Sequence, residues 1–183
     1  FALIDGALEP GASPGGSPAF QEALEALYGI SYTLKFACKQ RRENPIDYTV
    51  MGLEALWWVE GGEFDIRRPD NWRWRAMILQ PDHIDEGMFQ QALAQLRKKK
   101  PRAALDKLRF ETFHEGLCVQ IMHIGPYAEE PATLEKMHAF ARENGYRLRG
   151  RHHEIYLGDP RRTDPARLKT VLRHPVERGE GNE

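Results

Sequence analysis

Two cysteines in 183 residues, Cys38 and Cys118, cannot build a disulfide framework, and their separation is not a metal-ligand spacing. No stretch approaches the roughly 20 consecutive apolar residues of a membrane span. The first ten residues, FALIDGALEP, lack the positively charged flank that opens a signal peptide. A cytoplasmic protein with no membrane partner is therefore expected, and Phe1 in place of methionine suggests more chain ahead of it. An excess of one charge is missing too. The 26 Lys and Arg against 27 Asp and Glu leave a formal net charge of -1, which gives no electrostatic ground for a nucleic-acid partner. The one basic cluster, Arg97-Lys98-Lys99-Lys100, closes a helical pattern, where cations complement the helix dipole.

Familiar catalytic fingerprints are also missing: there is no nucleophile elbow, no P-loop and no dinucleotide-binding glycine pattern. His152-His153-Glu154 invites a metal, but consecutive strand residues point to opposite faces and cannot share one ion. The second histidine of a His-Glu-x-x-His helix is absent, and His114-Glu115 stands alone. Neither a metal nor an organic cofactor is expected.

What is present is the composition of a globular domain, 41% hydrophobic and 29% charged. The order of elements repeats. A short strand running into a turn opens each half, Leu3 to Gly6 and Val119 to Pro126. A helix follows each, starting at the Ser17-Pro18 cap in the first half and spanning roughly Ala132 to Asn144 in the second. Each half has a glutamate ten residues after an Arg-Glu-Asn tripeptide: Glu54 in MGLEALWWVEGG and Glu154 in RHHEIYLGDP. A turn and another strand complete each half. The reading is α+β, one domain of two strand-helix-strand-strand modules, about residues 1–81 and 115–176, with a short C-terminal tail. A pseudo-twofold axis joins them into an antiparallel sheet with helices on one side and a central groove. The helical connection, about residues 82–114, should pack over an open edge or mouth.

Period-two alternation places Leu148, Gly150, His152, Glu154 and Tyr156 on one face of the C-terminal strand and its arginines on the other. Each glutamate has an ordinary reading as a strand residue facing water or paired with arginine. That reading weakens for Glu154, because the arginines of its own strand point away. With the halves superposed, Glu54 and Glu154 would share the floor of an aromatic-walled groove, suited to a planar or cationic small molecule. Leu56 and Trp58 share the parity of Glu54, and a bulge would bring Trp57 round instead. Tyr28, Tyr32 and Phe36 form a stripe on the first helix, which should also bury Phe20, Leu24, Leu27, Leu34 and Cys38. The second helix should bury Leu134, Met137, Phe140 and Ala141.

The segments IDGALEPG, GLEALWW, MILQP, RFETFHEG, QIMHIGPYAEE and RLRGRHHEIYLGDPRRTDPARLKTVLRHPV together resemble the GyrI-like small-molecule-binding family. They are most similar to its stand-alone branch, which includes hydrolases of cyclopropanoid genotoxins. The resemblance implies two tandem modules of the SHS2 type around a ligand groove. It also implies that the glutamate of the EIY strand, Glu154 here, binds the ligand, with Tyr156 as its same-face neighbour. His123 and Tyr127 come from the HIGPY segment, with Tyr127 at the groove rim. The implied reaction adds water to a cyclopropane conjugated to a dienone. Glu154 and Glu54 are expected as the acid/base pair and Tyr127 as a hydrogen-bond donor. Trp57, Trp58, Tyr156, His123, Trp74, Phe36 and Tyr32 are the expected substrate-binding residues, in a monomer or homodimer. The family also offers a non-catalytic drug-sequestering protein and a gyrase-interacting inhibitor. Ala55 and Gly52, where the family usually has Gly and Pro, change only local backbone freedom.

Overall fold

The computed structural model describes residues 1–69 and 71–179. Eight strands form one antiparallel sheet: β1 (Ala2–Ala7), β2 (Leu53–Val59), β3 (Trp72–Ile78), β4 (Arg109–Phe110), β5 (Cys118–Ile124), β6 (Tyr146–Leu148), β7 (His152–Tyr156) and β8 (Lys169–Arg178). Their order is β4-β1-β3-β2-β7-β8-β5, with β6 pairing the far end of β8. The core of this order is mirrored: β1-β3-β2 on one side faces β5-β8-β7 on the other, and β2 meets β7 in the middle.

Helix α1 (Pro18–Lys39) starts where its cap dictates. Ser17 Oγ accepts the Phe20 amide at 3.1 Å, and Pro18 has no amide hydrogen to leave unsatisfied at the first position. Helix α2 (Glu86–Lys99) is capped in the same way by Asp85, which accepts from the Met88 amide at 2.8 Å. Helix α3 (Glu130–Glu143) carries the second half. All three lie on one face. Beneath α1, the inward residues Ala2, Ile4, Ala55, Trp57, Trp74, Ala76 and Ile78 form the main core, to which α2 adds Phe89, Ala92 and Leu93. Phe89 also stacks on Phe110 of the edge strand β4, ring centres 5.2 Å apart. Beneath α3, a smaller core joins Leu134, Met137 and Ala141 to Val119, Leu172 and Val176. Between the two cores, β2 and β7 form a band on which neither α1 nor α3 mainly packs. This band is a trough in the helical layer that residues 60–69 cross, with Phe64 against His152 and Ile66 against both cores.

Several expectations needed correction. Helix α3 starts at Glu130 rather than Ala132, and Phe140 is 57% exposed because it lies outside the stripe formed by Glu130, Leu134, Met137 and Ala141. The Arg-Glu-Asn tripeptides are not equivalent: Arg42 lies beyond the end of α1 at Lys39, whereas Arg142 and Glu143 are still inside α3. Glu54 and Glu154 therefore sit on matching central strands, but not at matching positions. The register pairs Ala55 with Glu154 and Glu54 with Ile155. Directly opposed residues share a face, so Glu154 lies on the helix side and Glu54 on the other. A one-residue slip in register reverses every side chain of a strand, and the superposition of the two tripeptides is off by an odd number.

Candidate functional site

Glu154 lies at the floor of the trough, 6% exposed, and the period of β7 sets its neighbours. Two residues on, the Tyr156 hydroxyl donates to its Oε2 at 2.6 Å; two residues back, His152 Nε2 is hydrogen-bonded to Oε1 at 3.0 Å. Across the sheet, Trp57 Nε1 donates to the same Tyr156 oxygen at 3.2 Å. The chain of bonds from indole to phenol to carboxylate fixes all three rotamers. Burial, and then the charge of Glu154, hold the Tyr156 phenol well above its ordinary pKa, so it stays a donor.

The second carboxyl of the trough is Glu130, which the sequence reading did not name. It projects from the first turn of α3, 3% exposed, and its Oε1 has no hydrogen-bond partner. Burial first, and then the charge on Glu154, push its pKa up to about 9. The Thr170 hydroxyl pulls weakly the other way, yet without hydrogen-bond geometry, since Thr170 Oγ1 is itself buried and unpartnered among the described residues. The Tyr156 hydroxyl and the His152 ring meet both oxygens of Glu154, whereas one oxygen of Glu130 has no partner, and it is Glu130 whose pKa is driven up. A signal for Glu130 existed: it falls at four, seven and eleven residues before Leu134, Met137 and Ala141, on the buried stripe.

Tyr127 stands at the rim, 38% exposed, its ring edge-on to Tyr156 with centres 6.0 Å apart. Burial, and then Glu130 and Glu154, push its pKa up to about 12. His123 is buried below the same turn. Its Nδ1 is bonded to Thr133 Oγ1 at 2.9 Å and its Nε2 to the Pro126 carbonyl at 3.1 Å, so it braces the start of α3. Trp57 is 1% exposed and walls the site, touching Trp72 and Phe20. Trp74 is one step removed, in the core against Phe20, where its ring lies over Gly6.

Other expected residues fall elsewhere. Trp58 faces away from the helices, as its parity with Glu54 requires, and lies under the Arg151 guanidinium at 3.6 Å. Tyr32 and Phe36 stack on one another at 6.3 Å on the outside of α1, each 47% exposed. Glu54 belongs to a network on the helix-free face. His153 bridges Glu54 at 2.9 Å and Glu115 at 2.8 Å, and Arg173 reaches Glu115 at 3.3 Å. Burial lowers the His153 pKa, but the bonds to Glu115 and Glu54 outweigh it and raise the value overall. Glu54, Glu115, His153 and Arg173 line a cavity of their own on this face, closed by Phe1 and Phe113, and the sheet separates Glu54 from Glu154.

A third group, His138, His152 and His174, brings three imidazoles together, each with one unpartnered buried nitrogen. Burial, then His152 and His138, push the His174 pKa down to about 4. Among the described residues, no three His, Cys, Asp or Glu side chains are arranged to hold a metal ion. No described helix is long and apolar enough to cross a membrane.

Comparison with known proteins follows the same lines. Residues 77–177 match the GyrI-like small molecule binding domain. An uncharacterised conserved protein from Listeria innocua is 38% identical, with a TM-score of 0.85 over 96% of this chain and 86% of its own. A structure described as a hydrolase from the same organism is 37% identical, TM-score 0.80, with the same coverage. The C-terminal domain of EcmrR shares the fold alone, at 13% identity and TM-score 0.53 over 97% of this chain and 91% of its own. No curated protein matches. With more than half its length matched and relatives above 30% identity along nearly all of it, the chain belongs to the GyrI-like small-molecule-binding domain family.

Proposed function

We propose that the protein is a hydrolase that adds water to an activated cyclopropane on a planar polycyclic compound. The observation that carries this reading is Glu154 on the trough floor, hydrogen-bonded to Tyr156 and His152, with Glu130 buried in the same trough and its pKa raised by burial and by the charge on Glu154. A buried base and a buried acid facing one site, walled by Trp57 and two tyrosines, are what such a reaction needs. The descriptions of Listeria innocua relatives as hydrolases support catalysis in general.

In the step envisaged, Glu154 takes a proton from water as its oxygen attacks the methylene carbon of the ring. The bond from that carbon to the dienone ring breaks, and its electron pair passes through the conjugated system to the carbonyl oxygen. That oxygen receives the proton of Glu130, while Tyr127 donates a hydrogen bond as charge develops there. The product is a phenol bearing a hydroxyalkyl arm, which is substrate plus one water. Solvent then returns the proton from Glu154 to Glu130. Glu130 takes the acid role once expected of Glu54, because it shares the trough with Glu154 and Glu54 does not.

The test is incubation with a spirocyclopropane dienone followed by mass spectrometry. A gain of one water, at a rate well above the buffer reaction, is expected. Binding of the compound without any mass change would leave a sequestering protein in place of an enzyme.

A further inference from the structure

The trough is filled from within the chain. Strands β2 and β3 are paired up to Val59 and Trp72, yet their connection is far longer than the roughly two to five residues a hairpin requires. Its residues 60–69 cross the trough. Phe64 stacks on His152, ring centres 5.4 Å apart and planes at 21°, and packs on Trp72 at 4.8 Å. His152 is the residue bonded to Glu154, and Trp72 adjoins Trp57 at 5.4 Å, so Phe64 sits directly beside the proposed reacting groups. Ile66 then packs against both the α1 core and the α3 core, and Arg67 comes to the side of α3 beside His123 and Thr133.

We propose that Phe64 occupies the aromatic slot that a ligand's ring system takes, and that segment 60–69 swings out to admit it, which makes Phe64 a specificity-determining residue. The inference rests on the ligand-trough reading above. Both ends of the connection have the backbone for a hinge: Gly61 at φ 72° and Asn71 at φ 64° are already in the left-handed region. Apart from Phe64 and Ile66 the strap has little to hold it down, since Gly61, Gly62, Glu63, Arg67 and Arg68 are exposed. A slot between an indole and an imidazole matches a flat aromatic ring of about the size of one phenyl group, not a branched aliphatic one. Ligands that carry a flat ring can replace the Phe64 contact; those that lack one must displace it without compensation. The slot thus selects planar aromatic compounds over globular ones.

Binding that waits for a minor open state is weakened by the fraction open, so removing the internal competitor should tighten it. The probe is 9-aminoacridine, a planar tricyclic cation, followed by quenching of tryptophan fluorescence. Phe64→Ala should bind it ~10-fold more tightly than the parent, with faster association. In the parent protein, the same probe should increase trypsin cleavage after Arg67, because the strap is then displaced. Equal or weaker binding by Phe64→Ala, or protection of Arg67 by the probe, overturns the proposal. The cleavage experiment decides alone where Phe64→Ala does not fold. Glu154→Gln is the control for the premise: if the parent does not bind the probe, or Glu154→Gln binds it as the parent does, the trough reading fails and this inference falls with it.

Discussion

A carboxyl group buried beside another cannot share its charge state without a large cost, and Glu130 is held beside Glu154 in that way. The sign of the consequence is definite. Burial and the charge on Glu154 push the folded Glu130 pKa up to about 9 from 4.5, so between those values the native state holds a proton that the unfolded chain has released. Stability contributed at this site therefore falls as pH rises from about 4.5 toward 9. Glu130→Gln resembles the neutral form and removes the titration. It should stabilise the protein, by more near about pH 8.5 than near about pH 5.5, while lowering turnover by ~100-fold. Thermal unfolding of parent and variant at the two pH values checks this, and an equal gain at both would show that Glu130 is ionised after all. The parity of β7 was legible in the sequence and correctly put Tyr156 and His152 beside Glu154. Glu130 was legible only in its spacing from Leu134, Met137 and Ala141, and an expected helix start at Ala132, two residues late, left it outside the helix.

The strands were legible wherever β-branched and aromatic residues alternate between turns, as in β2, β3 and β8. The stretch from Arg147 to Tyr156 read as one strand and is in fact β6 and β7, divided at Gly150, where φ is 67°. Register was illegible for a different reason. The pairing of β2 with β7 is made between residues about a hundred positions apart, and nothing local records whether Glu154 opposes Ala55 or Glu54. A repeat alignment cannot supply that parity when the connections differ in length. Within an element the constraints are sharper. In β1, a side chain on Gly6 would meet the Trp74 ring at 2.1 Å, so the glycine is there to let the indole lie flat on the strand. Gly6→Ala must push Trp74 off its place against Phe20 and should cost about 1–3 kcal/mol by overpacking. Chemical denaturation measures the loss; a change below about 0.5 kcal/mol would mean the ring moves freely and the core there is loose.

At the scale of the molecule, the mirrored sheet leaves a trough between two separately packed cores, and each hairpin connection leans toward the opposite half. Segment 60–69 reaches α3 through Arg67, and the connection between β7 and β8 brings Asp159 and Arg161 near Tyr28 of α1. The overall plan of two strand-helix-strand-strand units was readable from the order of elements, since hydrophobic period and caps are local properties. Which face of each central strand belongs to the trough was not, and that choice decides the chemistry. It puts Glu154 on the floor of the trough and Glu54 in a histidine-bridged ion cluster on the far side.

The most direct test compares Glu154→Gln with Glu54→Gln for turnover of a spirocyclopropane dienone, with both variants shown to be folded by thermal unfolding. The account predicts a loss of ~100-fold or more for Glu154→Gln, the scale of a missing general base. It predicts parental turnover for Glu54→Gln, with any penalty confined to stability because Glu54 bonds to His153 on the opposite face of the sheet. Equal losses in both, or a loss in Glu54→Gln alone, would contradict the assignment of the reaction to the helix side of the sheet.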